Sequence, residues 1–302
     1  MLPKVGPMQK SAVQYYTVTE RDEGQRLDNC LFRLFKHIPK THLYRLVRKG
    51  ELRVNKKRVS VDYRLVLQDQ IRIPPLVQDA VLPQTITQLN REQQSWVKSC
   101  ILFENTDFIV VNKPVGVSVH AGSDTRVGLI EALRIDRPDL KMIELVHRLD
   151  KDTSGCLLIA KKASVLKGLH ALLRERDFKK TYHLWVKGEW PKSLNRVDRP
   201  VEGKLSLTTF QVLQKKTGST YLSALLHTGR QHQIRLHCQA VQHPIIGDSK
   251  YGDFQFNREL AQRTGLKRMF LHAYQMAFTW QGQAYQFVAP LGPDWEQAAL
   301  CL

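Results

Sequence analysis

Residues 144–162 read ELVHRLDKDTSGCLLIAKK. An extended segment, ELVHR, leads into the apolar run CLLIA, and between them lie Asp150, Asp152, two hydroxyl side chains and Gly155. The apolar run is too short for a helix, so it predicts a buried strand with DTSG as the turn before it. A carboxylate at the mouth of such a strand projects from a rigid element, which suits a nucleophile, and Asp150 is the candidate. Asp152, Thr153 and Ser154 are assigned to the turn, where their oxygens bond local amides, and Gly155 to an unusual backbone dihedral.

Outward from this stretch, short apolar runs alternate with turns: CILFE, FIVVNKP, YHLWVKG, YLSALL, RMFLHA, MAFTW and YQFVAP. Most are rich in β-branched or aromatic residues. Residues 96–302 therefore predict an α+β domain of catalytic size on a large mixed or antiparallel β-sheet flanked by helices and loops. Two helices are legible in it. ASVLKGLHALLRER sets Val165, Leu166, Leu169, Leu172 and Leu173 on one face, and HQIRLHCQAV groups Ile234, Cys238 and Val241.

The amino-terminal part differs. GQRLDNCLFRLF carries Leu27, Leu31, Leu34 and Phe35 at helical spacing. After Pro39 a second helix turns Leu43, Leu46 and Val47 inward, with Thr41 as its expected cap and Gly50 at its end. ELRVNKKRV predicts two short strands about an Asn-containing turn, and DQIRIP a third. Residues 36–75 hold eleven Lys or Arg against three acids, a surplus of +8 within a chain of net charge +18. The expected organisation is a tail over 1–19, a small basic domain over 20–76, a polar linker over 77–95 and the larger domain over 96–302.

That charge, with a pI near 9.8, favours polyanions over small neutral ligands. No run approaches the roughly 18–20 apolar residues that span a bilayer, and MLPKVGPMQK lacks the apolar centre of a secretory signal, so a soluble, cytoplasmic protein is expected. Cys30, Cys100, Cys156, Cys238 and Cys301 are odd in number, dispersed and without a C-x-x-C pair, and read as reduced, mostly buried thiols. His227, His232 and His237 recur every five residues, which neither a helix nor a strand gathers on one face, so no metal site is expected. Aspartic proteases use Asp-Thr-Gly-Ser in two copies; here Ser precedes Gly and a second copy is missing.

HRLDKDTSG, with NKPVGVSVHAG upstream and KKTYHLWVKG and HTGRQHQIRLH downstream, resembles the RluA family of pseudouridine synthases. RKGELRVNKKRV, following two short helices, resembles the S-four RNA-binding domain, the alpha-L motif. Together the two resemblances cover essentially the whole chain. They imply a pseudouridine synthase fold behind an S-four-like module, and isomerisation of uridine to pseudouridine in large-subunit (23S) ribosomal RNA by base flipping and an aspartate nucleophile. The implied partner is that RNA or its assembly intermediates, bound by a monomer that needs no cofactor, metal or membrane.

By the same resemblance Asp150 attacks or deprotonates the uridine. A carboxylate enclosed with a nucleobase tends to take up a proton unless a cation is fixed beside it, and Arg235 of HQIR is the implied cation, with a bidentate fork as one geometry. Tyr182 of KTY is expected to stack on the flipped uracil, and Arg148 of HRLD to enter the base stack that the target leaves. Lys113 and His120 are placed near the cleft as RNA contacts. Arg45, Arg48, Lys49, Lys56, Lys57 and Arg58 are expected to grip phosphates without reading sequence. Two alternatives stay open: a non-catalytic RNA-binding or ribosome-assembly protein on this fold, and a synthase for other ribosomal or transfer RNA uridines. The compact region before GKLSLTTF and Cys156, in place of a more usual aliphatic residue, depart from the family pattern and bear on substrate choice.

Overall fold

The structure, a computed structural model, describes residues 13–20, 22–35, 38–75, 89–120, 127–175, 177–265 and 267–302. The chain divides into two units, Met1–Ile86 and Thr87–Leu302.

In the first unit, β1 (Gln14–Thr17) precedes α1 (Leu27–Leu34), α2 (Lys40–Lys49), β2 (Arg53–Val54) and β3 (Gln70–Ile73). The strands form an antiparallel sheet in the order β1-β3-β2. Leu27, Leu31, Leu43, Leu46 and Val47 from the helices pack with Val54, Ile71 and Ile73 from the strands in one core. Three expectations are corrected. Residues 14–17, placed in a tail, pair with β3 and pack Tyr16 against the core, because QYYT is a strand-forming sequence. Thr41 does not cap α2. The helix begins at Lys40 directly after Pro39, so Thr41 already lies inside its first turn. Only the first half of ELRVNKKRV is a strand; Asn55 and Lys56, at φ 49° and 66°, turn the chain so that Val54 bridges Lys57. Gly50 ends α2 in the left-handed conformation, as its position suggested.

The second unit starts within the expected linker. Residues 76–88 lie outside the described residues, but α3 (Arg91–Ser99) is in place before residue 96, and Leu89 and Val97 belong to the core. Asn90 accepts from the Gln93 amide at 2.7 Å while the Gln93 side chain accepts from the Asn90 amide at 3.1 Å, a capping box that holds this polar helix in register. There follow β4 (Ile101–Glu104), β5 (Phe108–Lys113), α4 (Leu129–Asp136), β6 (Glu144–Leu145), β7 (Ser154–Ala160), α5 (Ala163–Glu175), β8 (Lys179–Lys187), β9 (Arg196–Asp198), β10 (Leu207–Lys216), β11 (Ser219–Leu226), α6 (Gln233–Ala240), α7 (Phe254–Thr264), β12 (Leu271–Trp280), β13 (Gln283–Val288) and α8 (Pro293–Cys301).

These strands form one sheet in the order β4-β5-β7-β12-β8-β11-β10-β9, with β13 on β12 and β6 on β7. The β7–β12 pairing is parallel and the others are antiparallel, so the sheet is mixed. FIVV and CLLIA are continuously apolar because both faces are covered. Ile109, Val111, Leu157 and Ile159 share one core with residues of α4 and α6, while Phe108, Val110, Leu158 and Ala160 share another with residues of α5. RMFLHA and MAFTW, two runs by their apolar pattern, meet in the single strand β12.

Candidate active site

Asp150 sits in the loop between β6 and β7, and its neighbours are fixed from below. The Thr153 amide donates to the Asp150 carbonyl at 3.1 Å, and the Lys151 carbonyl accepts from the Gly116 amide at 3.0 Å and from Lys113 Nζ at 2.9 Å. Gly155 then enters β7 at φ 112°, where a Cβ would stand 2.3 Å from the Ala273 carbonyl oxygen, so the parallel β7–β12 pairing requires glycine there. Ser154, expected to serve the turn, instead opens β7. Its Oγ lies 2.8 Å from His272 Nδ1 and accepts from Arg268 Nη2 at 2.8 Å.

The acid opens into a cleft of about 680 Å³. Its lining includes Arg148, Arg174, Lys180, Arg230 and Arg235, with Asp150 as its one acid among the described residues. Such a surface attracts a polyanion and sets one carboxylate among several cations. Arg235, near the start of α6, donates Nη1 to Asp150 Oδ2 at 3.0 Å. The bidentate fork expected for this pair goes elsewhere: Nε and Nη2 donate to Asp248 Oδ2 and Oδ1 at 2.7 and 2.8 Å. Asp248 is 1% exposed, and its Oδ1 also accepts the amides of Lys250 and Tyr251. Burial pushes its pKa up, but the Arg235 bonds and these amides outweigh that and hold it below the usual carboxylate value. Burial likewise works against the charge of Arg235, and the two carboxylates more than restore it.

His232 Nε2 lies 3.6 Å from the same Asp150 Oδ2, and its Nδ1 is 3.0 Å from the Tyr251 hydroxyl. The residue holds a left-handed φ of 55°, a conformation uncommon for a histidine. Both groups thus converge on Oδ2, and among the described residues no hydrogen bond reaches Oδ1. Gln233, 3% exposed, locks this loop to β10: it accepts from Thr228 Oγ1 and the Arg230 amide and donates to the Leu207 carbonyl and Thr208 Oγ1.

Tyr182, on β8, lines the cleft and is 7% exposed; burial and the Asp150 charge push its hydroxyl pKa up. Arg148 is exposed at the cleft, and its guanidinium has no hydrogen bond or ion pair among the described residues. Lys113 is corrected as an RNA contact. It is fully buried, and Nζ donates to the carbonyls of Pro114, Val117 and Lys151 at 2.8–2.9 Å. His120 is exposed 3.6 Å from Glu131 and does not line the cleft. His227 lines it, whereas His237 is buried against the Arg199 carbonyl, and among the described residues no three side chains gather as metal ligands.

In the first unit Arg45, Arg48, Lys49, Lys56, Lys57 and Arg58 are all exposed. Arg48 and Arg58 share one groove, Lys49 lies 4.0 Å from Glu51, and Arg45 Nη2 is 3.2 Å from His42 Nδ1. Sequence reasoning missed Asp248, Gln233 and Lys180. Asp248 stands after an apolar run and a glycine, as an acid at a strand-end turn does, but nothing in sequence ties it to an arginine thirteen positions earlier.

The RNA pseudouridylate synthase family matches residues 107–240, and the S4 domain matches residues 25–71. The chain belongs to the RluA-type RNA pseudouridine synthases and is an enzyme of that class, carrying an S4 domain. Among proteins it is similar to, the Ribosomal large subunit pseudouridine synthase C of Vibrio vulnificus (strain CMCP6) is 41% identical over 97% of this chain and 98% of that protein. Proteins of the same name from Pasteurella multocida (strain Pm70) and Escherichia coli (strain K12) are 42% and 41% identical, covering 94% and 90% of this chain and 92% and 90% of their own lengths. The solved structure of Human RNA Pseudouridylate Synthase Domain Containing 4 shares the fold at a TM-score of 0.60 and 23% identity, over 70% of this chain and 97% of its own. That of Human RNA Pseudouridylate Synthase Domain Containing 1 has a TM-score of 0.52 and 27% identity, over 63% and 82%.

Proposed function

We propose that this enzyme isomerises uridines of large-subunit (23S) ribosomal RNA, or of its assembly intermediates, as a cytoplasmic monomer, with Asp150 as the nucleophile. The observation that carries the site assignment is the single bond from Arg235 to Asp150 Oδ2, made by a guanidinium whose other nitrogens are fixed on buried Asp248. The substrate class is supported by relatives that share its length and name the large ribosomal subunit.

In this reading the target nucleotide leaves its stack and the uracil enters the cleft, at a cost of a few kcal/mol. Arg148, exposed and without an ion pair among the described residues, fills the gap it leaves. Asp150 either bonds to C1′ as the N1–C1′ bond breaks, and leaves again when C5 takes its place, or takes a proton from the sugar as that bond breaks and returns it once C5 has bonded. The released uracil turns against the buried face of Tyr182, C5 bonds to C1′, the C5 proton is lost and N1 ends protonated, so product and substrate are isomers. Arg235 keeps a cation beside the carboxylate throughout. The first unit grips phosphates through its basic surface, with Arg45, Arg48, Lys49, Lys56, Lys57 and Arg58 as the contacts.

Tritium release from RNA labelled at C5 of uridine tests the chemistry. Asp150→Ala is expected to bind 23S transcripts within about threefold of the parent and to release no tritium; release at the parental rate would defeat the assignment. Mapping pseudouridines in ribosomal RNA from cells with and without the gene tests the substrate, and unchanged 23S sites with altered transfer RNA would move the target.

A further inference from the structure

The first unit carries a groove whose walls are not those of a phosphate track. Tyr44, Val47 and Arg48 from α2 face Arg58, Val59 and Val61 from the segment after β2, around about 670 Å³, within the roughly 300–1,000 Å³ of small-ligand clefts. Val47 belongs to the core, and Val59 and Val61 pack against it, so the floor is apolar and fixed. The Tyr44 ring meets Phe32 edge-on at 5.5 Å, and its hydroxyl donates to Asp28 at 3.3 Å.

The rim is equally preset. The Asp28 amide donates to the Val61 carbonyl at 3.0 Å and the Leu27 amide to the Tyr63 carbonyl at 2.8 Å, which ties the segment to α1. Arg58 lies over Gly50, where a Cβ would come within 2.2 Å of its Nε. Neither Arg48 nor Arg58 is ion-paired among the described residues, and both are exposed.

Gripping a backbone requires only cations. Two guanidinium groups without an ion pair among the described residues, beside an aromatic ring and three valines, match a whole nucleotide, with phosphate on the arginines and an unstacked base on the apolar floor. We infer that this groove holds one unpaired nucleotide of the RNA, its base against Tyr44, Val59 and Val61 and its phosphate between Arg48 and Arg58. The inference rests on the proposed RNA-binding role of this unit and adds a preference for unpaired RNA, where the sequence suggested phosphate gripping alone.

Binding of the full-length protein to decauridylate, and to an abasic ribose-phosphate decamer of equal charge, tests it. The parent is expected to favour decauridylate by about fivefold or more. Val59→Trp fills the floor, and Ser60→Trp fills the groove from an exposed position that spares the core. Either is expected to bring that ratio down while leaving the salt slope unchanged. Arg48→Gln with Arg58→Gln weakens both decamers alike and lowers the slope by about 0.7 for each phosphate no longer neutralised. A parental ratio in both tryptophan variants, with native circular dichroism, overturns the base site alone. A parent that binds neither decamer overturns the RNA-binding role together with it.

Discussion

Arg235 is bound to Asp248 by two hydrogen bonds, of 2.7 and 2.8 Å, inside a buried pocket, and this leaves it one nitrogen with which to reach Asp150. The guanidinium that reaches Asp150 is therefore itself oriented by a second, buried carboxylate. Asp248→Asn retains the volume but removes the charge and one acceptor of the fork. Misplacement of a reacting group by an ångström costs about 10²-fold, and the same loss of kcat is expected with RNA affinity within about threefold. Single-turnover tritium release and filter binding separate the two, and a variant with parental kcat would show that the fork is only structural.

Lys113 gives a pH signature. Burial pushes its pKa down from 10.5 to about 7, although three carbonyls accept from its Nζ. Between about pH 7 and 10 the unfolded chain holds a proton on this lysine that the folded chain lacks, so this group makes stability rise with pH across that window. Lys113→Met is expected to lose about 2–4 kcal/mol at pH 7, from the stranded carbonyls, and to lack that part of the rise. Urea unfolding of both proteins at pH 6, 8 and 10 measures it, and parallel curves would contradict the lowered pKa of this buried amine.

Gly155→Ala tests the closeness of β7 and β12. A methyl group would meet the Ala273 carbonyl at 2.3 Å in a backbone conformation that L-residues avoid. A loss of about 3 kcal/mol or more is expected from denaturant unfolding. A loss below about 1 kcal/mol would mean that the two strands separate easily.

Arg148→Ala is expected to act through RNA structure. If its guanidinium fills the place of the flipped nucleotide, the variant should lose about tenfold or more in kcat/KM on a target within a helix, and far less on an unstructured oligonucleotide. Equal losses on both substrates would assign Arg148 to general phosphate contact.

Much of the architecture is written locally. The runs FIVV and CLLIA specify strands buried on both faces, the 3.6-residue spacing of Leu166, Leu169 and Leu173 specifies α5, and the basic segment 36–75 marks the unit that carries α2 and its groove. Asp150 and Gly155 were legible because a turn between extended segments constrains its own few residues. The polar helices α3 and α7 were not, since their registers are held by caps at Asn90 and Asp253 more than by apolar periodicity. The partners were also illegible. Arg235 binds Asp248, Gln233 joins α6 to β10, and Lys113 reaches the Lys151 carbonyl only after segments distant in sequence have come together. Sequence determined which groups the chain offers, because propensity and burial act over a few neighbouring residues; tertiary structure alone decided which carboxylate each cation meets, because hydrogen bonds act over about three ångströms of space whatever the separation along the chain.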